Sequence, residues 1–410
     1  MSAPAVHRLS ALTDLLAPPT SRRLFIAHTQ SALGNGAGYV ALMLLAYTQT
    51  GSPWVVSAVL VADFLPSMLL GPWLGAIADR HSRRACCVAA DLLRAAAFAG
   101  LAIFEAPVAL VALALLAGVG SALFSPAVLA GLSGVYDERR LPGAVSLFGA
   151  VDEAGMLVGP LVAAGLLAFT SPASVMALNA VSFVVSALLI SGVALRRGDG
   201  TSESLTAATW GGLRQVAAIP SALRLMLIST LAVLSVGMVN VAEVVFALEE
   251  LDAGALGLSL LVAAMGTGVT VGALGGLRAG DQAAWLRRYL AGLALMAVML
   301  LLVGLVPVLE LAVVAFFFTG LGNGLALTHE RLLLVRAVPE RLHGRAFAIK
   351  RSAVAWAFSA SFLGSGALCA ALGSPATLAI AGAGALAAFC LGAAMLPGRF
   401  RPAGVPAQAA

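Results

Sequence analysis

Long apolar runs separated by short polar breaks dominate this chain. Breaking it at proline, Gly-Ser and charge clusters leaves apolar segments at 24–48, 54–78, 85–104, 107–134, 143–168 and 173–195. After a polar stretch come 223–248, 255–277, 289–306, 310–335, 346–371 and 375–396. Each is close to the roughly 20 residues a helix needs to cross a bilayer. Over such lengths in lipid, only a helix satisfies its own backbone hydrogen bonds. Strands of a membrane barrel would be far shorter, with a polar residue at every second position, and these runs do not alternate. The pattern predicts an all-α membrane protein with twelve transmembrane helices.

Composition excludes the other classes. Of 410 residues, 60% are hydrophobic and only 10% charged, where a soluble domain carries about 25% charged. A soluble enzyme, a secreted domain and a disordered chain are all ruled out. The net charge of +5 is therefore a topology signal, and no nucleic-acid partner is expected. With the N-terminus in the cytoplasm, Arg8, Arg22, Arg23, Arg80, Arg83, Arg84, Arg139 and Arg140 all fall on the cytoplasmic side. So do Arg196, Arg197, Arg214, Arg224, Arg278, Arg287 and Arg288. Arg331, Arg336, Arg341, Arg345, Lys350, Arg351, Arg399 and Arg401 complete that set. Only Arg94 lies inside a span, and the opposite loops carry Glu105, Glu249, Glu250, Asp252 and Glu310 instead. This bias predicts a multi-pass protein of the plasma membrane with both termini cytoplasmic. Ser21-Arg22-Arg23 reads as the basic flank of the first span, not an export signal. Cys86, Cys87, Cys369 and Cys390 form neither a metal pattern nor a disulfide framework.

The chain also repeats itself. Residues 117–123 read Ala-Gly-Val-Gly-Ser-Ala-Leu, and 202 positions later 319–325 read Thr-Gly-Leu-Gly-Asn-Gly-Leu. The same offset aligns Glu138-Arg139 with Glu340-Arg341 and Ala144 with Ala346. A repeat of six spans in the same orientation is a parallel repeat of two similar bundles. The expected organisation is a first bundle over 1–195, a cytoplasmic linker over 196–222, a second bundle over 223–396 and a tail over 397–410. Within the linker, Trp210, Leu213 and Ala217 line one face of a short interfacial helix or sit in a flexible connector. Both readings stay open.

At the cytoplasmic end of the second span stands Gly75-Ala-Ile-Ala-Asp79-Arg80-His81-Ser82-Arg83-Arg84. This resembles the signature loop of the major facilitator superfamily, Gly-x-Leu-Ala-Asp-Arg-x-Gly-Arg-Lys/Arg, with Ile77 for the leucine and Ser82 for the second glycine. The resemblance implies the major facilitator fold, two pseudo-symmetric six-helix bundles. It also implies a conformational latch formed by Gly75, Asp79, Arg80, Arg83 and Arg84, working against the start of the eleventh helix near Gly344 to Arg351. The latch has its own physical logic: a glycine permits close helix approach, and an acid at a helix end pairs reversibly with nearby positive charge. In the fifth span, Gly155-Met-Leu-Val-Gly159-Pro160 resembles the Gly-x-x-x-Gly-Pro core of the exporter motif, a kink with close packing. Ala114 stands where many proton-coupled drug exporters carry an arginine. Ala90-Asp91-Leu92-Leu93-Arg94 and Leu178-Asn179-Ala180-Val181-Ser182-Phe183 are similar to the macrolide-efflux and enterobactin-exporter branch.

Five acids sit within spans: Asp63, Asp91, Asp152, Glu153 and Glu243. Each costs a few kcal/mol on insertion scales and so needs a partner, a proton or a wet cavity. Asp91 and Arg94 share a helix face and can neutralise each other. The proton-coupling candidates are ranked Asp63, Asp152, Glu153 and Glu243. Gln30, Asn35, Tyr39, Asn179, Asn240 and Asn323 are the substrate-cavity candidates, with interhelical bonding as the other reading. Gly268, Gly272 and Gly276, spaced by four, read as helix packing. His7, His28, His81, His329 and His343 show no ligand spacing, and no nucleotide-binding loop exists, so neither an enzyme nor an ATP-driven pump is expected. No cofactor is expected beyond the proton gradient. The expected protein is a monomer in lipid that exports an amphipathic small molecule by proton-coupled alternating access. The alternatives are proton-driven uptake of a small metabolite and a non-transport integral-membrane protein.

Overall fold

The structure is a computed structural model, and it describes residues 15–193, 195, 215–216, 218–275 and 280–397, with the side chains of Pro72, Asp79, Arg341 and Gly344 outside that set. The linker residues 196–214, with Trp210 and Leu213, also lie outside it, as do Ala217, Gly276 and the tail beyond 397.

Among the described residues every regular element is helical. The first half holds α1 (Pro19–Thr50), α2 (Pro53–Leu69), α3 (Gly71–Arg80), α4 (Arg83–Leu101), α5 (Pro107–Leu132), α6 (Leu141–Leu167) and α7 (Pro172–Ser191). The second holds α8 (Pro220–Val245), α9 (Gly254–Leu274), α10 (Gln282–Leu305), α11 (Leu309–Ala337), α12 (His343–Leu372) and α13 (Ser374–Met395). Helix starts follow local chemistry. Prolines open α5, α7 and α8, where the missing N–H costs nothing. The side chains of Ser82, Ser171 and Asp281 accept bonds from the backbone N–H groups of Ala85, Ser174 and Ala284. The second span carries Pro66 within α2 and runs through Leu70 into α3.

Nine helices among the described residues, α5 to α13, are long and apolar enough to cross a membrane. Twelve spans were expected. The shortfall has a physical reason: α2 has only 17 residues before its break, while α1 and α4 carry polar and charged residues along their length. Those two helices build the site described below.

Packing divides the helices into two units, Met1–Thr50 with Ala62–Ser202 and Gly51–Val61 with Glu203–Ala410. Within the first, α1 packs on α6 and α7, α4 on α5 and α7, and α3 on α5. Within the second, α8 packs on α12 and α13, α10 on α11 and α13, and α9 on α11. Replacing α1, α3, α4, α5, α6 and α7 by α8 to α13 in order turns one scheme into the other. Each half thus has the same internal wiring, as a parallel repeat requires. The first core gathers Leu24, Phe25, Phe124, Val128, Phe148 and Ile190; the second gathers Leu225, Ile228, Tyr289, Leu293, Leu333 and Ala385.

Small residues set the closest approaches, because lipid offers no hydrophobic drive and helices must win by contact. In the first unit Gly155 and Gly159 of α6 lie against Ala32 and Gly36 of α1, backbone to backbone. In the second, Gly268 and Gly272 of α9 mesh with Gly320 and Gly324 of α11. A Cβ at Gly159 would strike the backbone of Gly36. Gly159→Val is therefore expected to destabilise the first unit by about 1–3 kcal/mol, the usual cost of overpacking. Thermal unfolding of the purified protein, followed by tryptophan fluorescence, should show the earlier transition. An unchanged midpoint would mean that α1 and α6 separate without penalty.

Candidate functional site

The site grows out of the polar residues on α1, α4 and α6. Asp91 and Arg94 stand one turn apart on α4, 0% and 3% exposed, and form a direct ion pair. The guanidinium is also clamped between two rings, 4.3 Å from the centroid of Phe124 on α5 and 4.3 Å from that of Phe183 on α7. Each such contact is worth about 0.5–2 kcal/mol, more where desolvated. The clamp fixes the guanidinium plane, but Arg94 Nε and Asp91 Oδ2 find no partner among the described residues.

Beside this pair opens a cavity of about 360 Å³, enclosed by α1, α4, α5 and α6 of the first unit. The lining mixes apolar residues, Phe124, Val128, Leu129, Val145 and Phe148, with polar ones, Ser31, Asn35, Ser121, Ser125 and Arg94. His28 of α1 belongs to the same lining. Its ring stacks on Phe148, with centroids 4.3 Å apart. Its Nε2 lies 3.1 Å from Asp152 Oδ1 and 3.3 Å from the Phe148 carbonyl oxygen. The imidazole is almost wholly enclosed, whereas the Asp152 side chain is 64% exposed and faces the cavity. A carboxylate in reach of both solvent and an imidazole can exchange a proton without rearranging the core.

The other predicted residues are distributed as follows. Glu153, next in sequence, is exposed and outside the cavity lining. Asp63 is half-buried on α2, its backbone against Gly118 of α5 and its carboxyl within the electrostatic reach of Arg94. Glu243 is 2% exposed on α8 of the second unit, one residue pair before a π-helical turn at Phe246–Glu250. Of the cavity candidates, Asn35 lines the chamber. Gln30 and Asn179 instead share a separate groove of about 300 Å³ between α1, α6 and α7. There the Gln30 amide donates to the Ser182 carbonyl at 2.8 Å, and Asn179 lies against Gly34 and Gly38. Tyr39 is half-buried on α1 and Asn323 on α11. Asn240 donates to the Gly237 carbonyl within α8 at 3.2 Å.

In the predicted latch, Arg83 donates to the Ala130 carbonyl at 2.8 Å, closing the C-terminal end of α5 where positive charge is favoured. Arg80 and Arg84 are exposed. A Cβ at Gly75 would meet no described atom within 4 Å. The Asp79 side chain lies outside the described residues. Gly155, Gly159 and Pro160 form the α1–α6 seam, and Ala32 of that seam also lines the cavity.

Three groups escaped the sequence reading. His28 lies inside the first span, and an ionisable residue there is itself a functional signal. Lys350, counted among the cytoplasmic charges, lies within α12 and pairs with Glu330 of α11, Nζ to Oε2 at 2.5 Å. Glu330, inside the tenth span yet not among the five acids named from the sequence, is buried, and Lys350 is half-buried.

Membrane-crossing helices in two alike units, with a polar chamber inside one of them, define a membrane transporter. The profile of the family described as transmembrane secretion effector matches residues 11–400. The chain belongs to that family of major facilitator transporters. Macrolide efflux protein A of Streptococcus pyogenes is 28% identical over 171 residues, 40% of this chain and 42% of that one. The match to that relative thus spans less than half its length. The MFS-type transporter YfiS of Bacillus subtilis is 26% identical over 362 residues, covering 84% of this chain and 85% of its own. Multidrug efflux pump Tap of Mycolicibacterium fortuitum is 30% identical over 214 residues, 49% of this chain and 52% of that one. Among solved structures, the nucleoside transporter NupG superposes with a TM-score of 0.74 at 12% identity, covering 92% of this chain and 98% of that chain. A bacterial homologue of the lysosomal transporter Spinster gives the same TM-score, 0.74, at 12% identity over 91% and 95%. These structures share the fold.

Proposed function

We propose that this protein exports an amphipathic small molecule across the plasma membrane by alternating access, with both termini in the cytoplasm and protons as the driving ion. The single observation that carries this reading is the first-unit chamber with its mixed lining. Its aromatic and aliphatic residues suit the apolar body of a drug, siderophore or similar metabolite. Its serines, Asn35 and Asp152 suit a few fixed polar groups, the usual composition of small-molecule sites. The relatives named for efflux support the outward direction.

In this reading, Asp152 carries the proton and His28 positions it. When Asp152 is charged, the His28 N–H holds it against the wall at 3.1 Å. When Asp152 is protonated, that contact weakens and the chamber becomes less polar, which alters its affinity for cargo. The two states of one carboxyl thus bias two states of the transporter, as coupling requires.

The test is directional. Expression in an efflux-deficient host against a compound panel identifies a cargo, which is then offered to inside-out membrane vesicles with an acidic lumen. Export by proton exchange is expected to concentrate the cargo inside, and a protonophore should collapse the accumulation. Uptake coupled to protons predicts the reverse, depletion from those vesicles. Cargo movement indifferent to the gradient would remove the proton from the mechanism.

A further inference from the structure

The two units share one wiring but differ where α5 meets α6 and α11 meets α12. In the first, the chamber opens between α5 and α6, with Val128 and Phe148 on its wall. The repeat offset of 202 positions carries Val128 onto Glu330 and Phe148 onto Lys350. Where the first unit keeps a cavity, the second holds the ion pair that joins α11 to α12. The backbones of those helices barely touch; α11 packs on α9 and α10, and α12 on α8. There Ser361 and Ser365 of α12 donate to the carbonyls of Leu234 and Met238. The ion pair spans this seam alongside two neutral ties: His343 Nε2, at the start of α12, donates to the Val335 carbonyl of α11 at 3.0 Å, and Ala346 and Phe347 join the apolar cluster of Leu333 and Leu334.

The groups around Glu330 can be named element by element. Lys350 comes from α12, and the Tyr289 hydroxyl from α10 lies within electrostatic reach. His329 precedes it on α11, with Nδ1 donating to the Leu325 carbonyl at 2.8 Å and Arg288 of α10 nearby. Helix α9 brings no titratable residue, and α8 brings Arg224 and Glu243 at its two ends. Glu330 Oε1 and the Tyr289 hydroxyl are both buried without a partner among the described residues. The chain contains 23 arginines and a single lysine, Lys350. An arginine here would grip the carboxylate with two parallel bonds, whereas an ammonium is a point charge on a flexible stem.

We propose that Glu330 and Lys350 are a second ionisable couple of the transport cycle, parted when Glu330 takes up a proton, so that α12 is released from α11. The proton comes from water and binds the carboxylate. Lys350 keeps its charge, and its stem, 12% exposed when paired, swings toward water. The neutral carboxyl then meets the stranded Tyr289 hydroxyl. The couple's place in the cycle rests on the proton-linked reading above, but the parting itself does not.

The single lysine makes the test direct. Full-length protein in lipid nanodiscs, grown on isotope-labelled lysine, carries one lysine side-chain signal. In wild type that signal is expected to move as the pH is lowered, with the parted-to-paired ratio changing about tenfold per pH unit through the transition. In Glu330→Gln it should sit at the parted position throughout. Spin labels on Val335→Cys and Ser352→Cys, with Cys390→Ser, read the α11–α12 spacing in the same samples; all three positions are exposed. The spacing should widen at low pH in wild type and stay wide in Glu330→Gln. The charge-swapped variant, Glu330→Lys with Lys350→Glu, should regain the pH-dependent spacing, which a merely damaged fold would not. A signal and spacing that ignore pH in wild type, or respond equally in Glu330→Gln, overturn the inference. No cargo enters these measurements, so failed proton-linked export in vesicles would leave them standing.

Discussion

Arg94→Ala should cost the protein about 3–5 kcal/mol of stability, enough to remove most folded transporter from the membrane. The reason lies in what the truncation leaves behind. Asp91 is 0% exposed and its partner is Arg94; without the guanidinium a carboxylate is stranded in a low-dielectric core. The Phe124–Phe183 clamp also loses its filling. The instructive comparison is the double variant Arg94→Met with Asp91→Leu. Replacing a buried ion pair by apolar side chains of similar size is often neutral or stabilising, so this variant should fold where the single one does not. Size-exclusion profiles and thermal midpoints in detergent compare the three proteins. Because Arg94 also faces the chamber, the rescued double variant separates two roles: recovered folding without recovered transport would assign the pair to cargo handling as well as architecture. A single variant as stable as wild type would mean that water already reaches Asp91.

What the amino-acid sequence discloses here depends on the range of the interaction. Hydrophobic runs act locally, so the segment 107–134 anticipates α5 (Pro107–Leu132) almost to the residue. The Asp91–Arg94 pair is legible for the same reason, since a spacing of three puts both on one helix face. The seam of Gly155 and Gly159 shows as a spacing, but its partner, Gly36 of α1, does not. The His28–Asp152 contact joins distant parts of the chain, and neither residue carries a local mark of the other. Gln30 and Asn179 have the right polarity for a chamber, yet the rotation of α1 and α7 turns them into another groove. Rotation about a helix axis is set by packing, and a nearly uniform apolar surface encodes it weakly. Lys350 was hidden differently: at a span boundary, a basic residue fits the topology bias whether it sits in a loop or in a buried pair.

Asp152→Asn is the substitution that most directly separates coupled from uncoupled transport. A gradient of one pH unit is worth about 1.4 kcal/mol, so one proton per cargo sustains about tenfold accumulation. An asparagine keeps the shape of Asp152 and can still bond to His28, but it cannot bind or release a proton. The chamber should therefore still admit cargo, while the accumulation ratio in acid-loaded vesicles falls from about tenfold to about one. His28→Gln should act differently. It keeps the proton-carrying carboxyl but removes the imidazole that holds it at 3.1 Å, so accumulation should persist. Counterflow, in which preloaded unlabelled cargo drives labelled cargo inward without any proton gradient, checks that Asp152→Asn still binds and moves its cargo. If Asp152→Asn keeps its tenfold accumulation and Asp63→Asn loses it, the proton is carried on α2 and the His28–Asp152 pair only shapes the chamber.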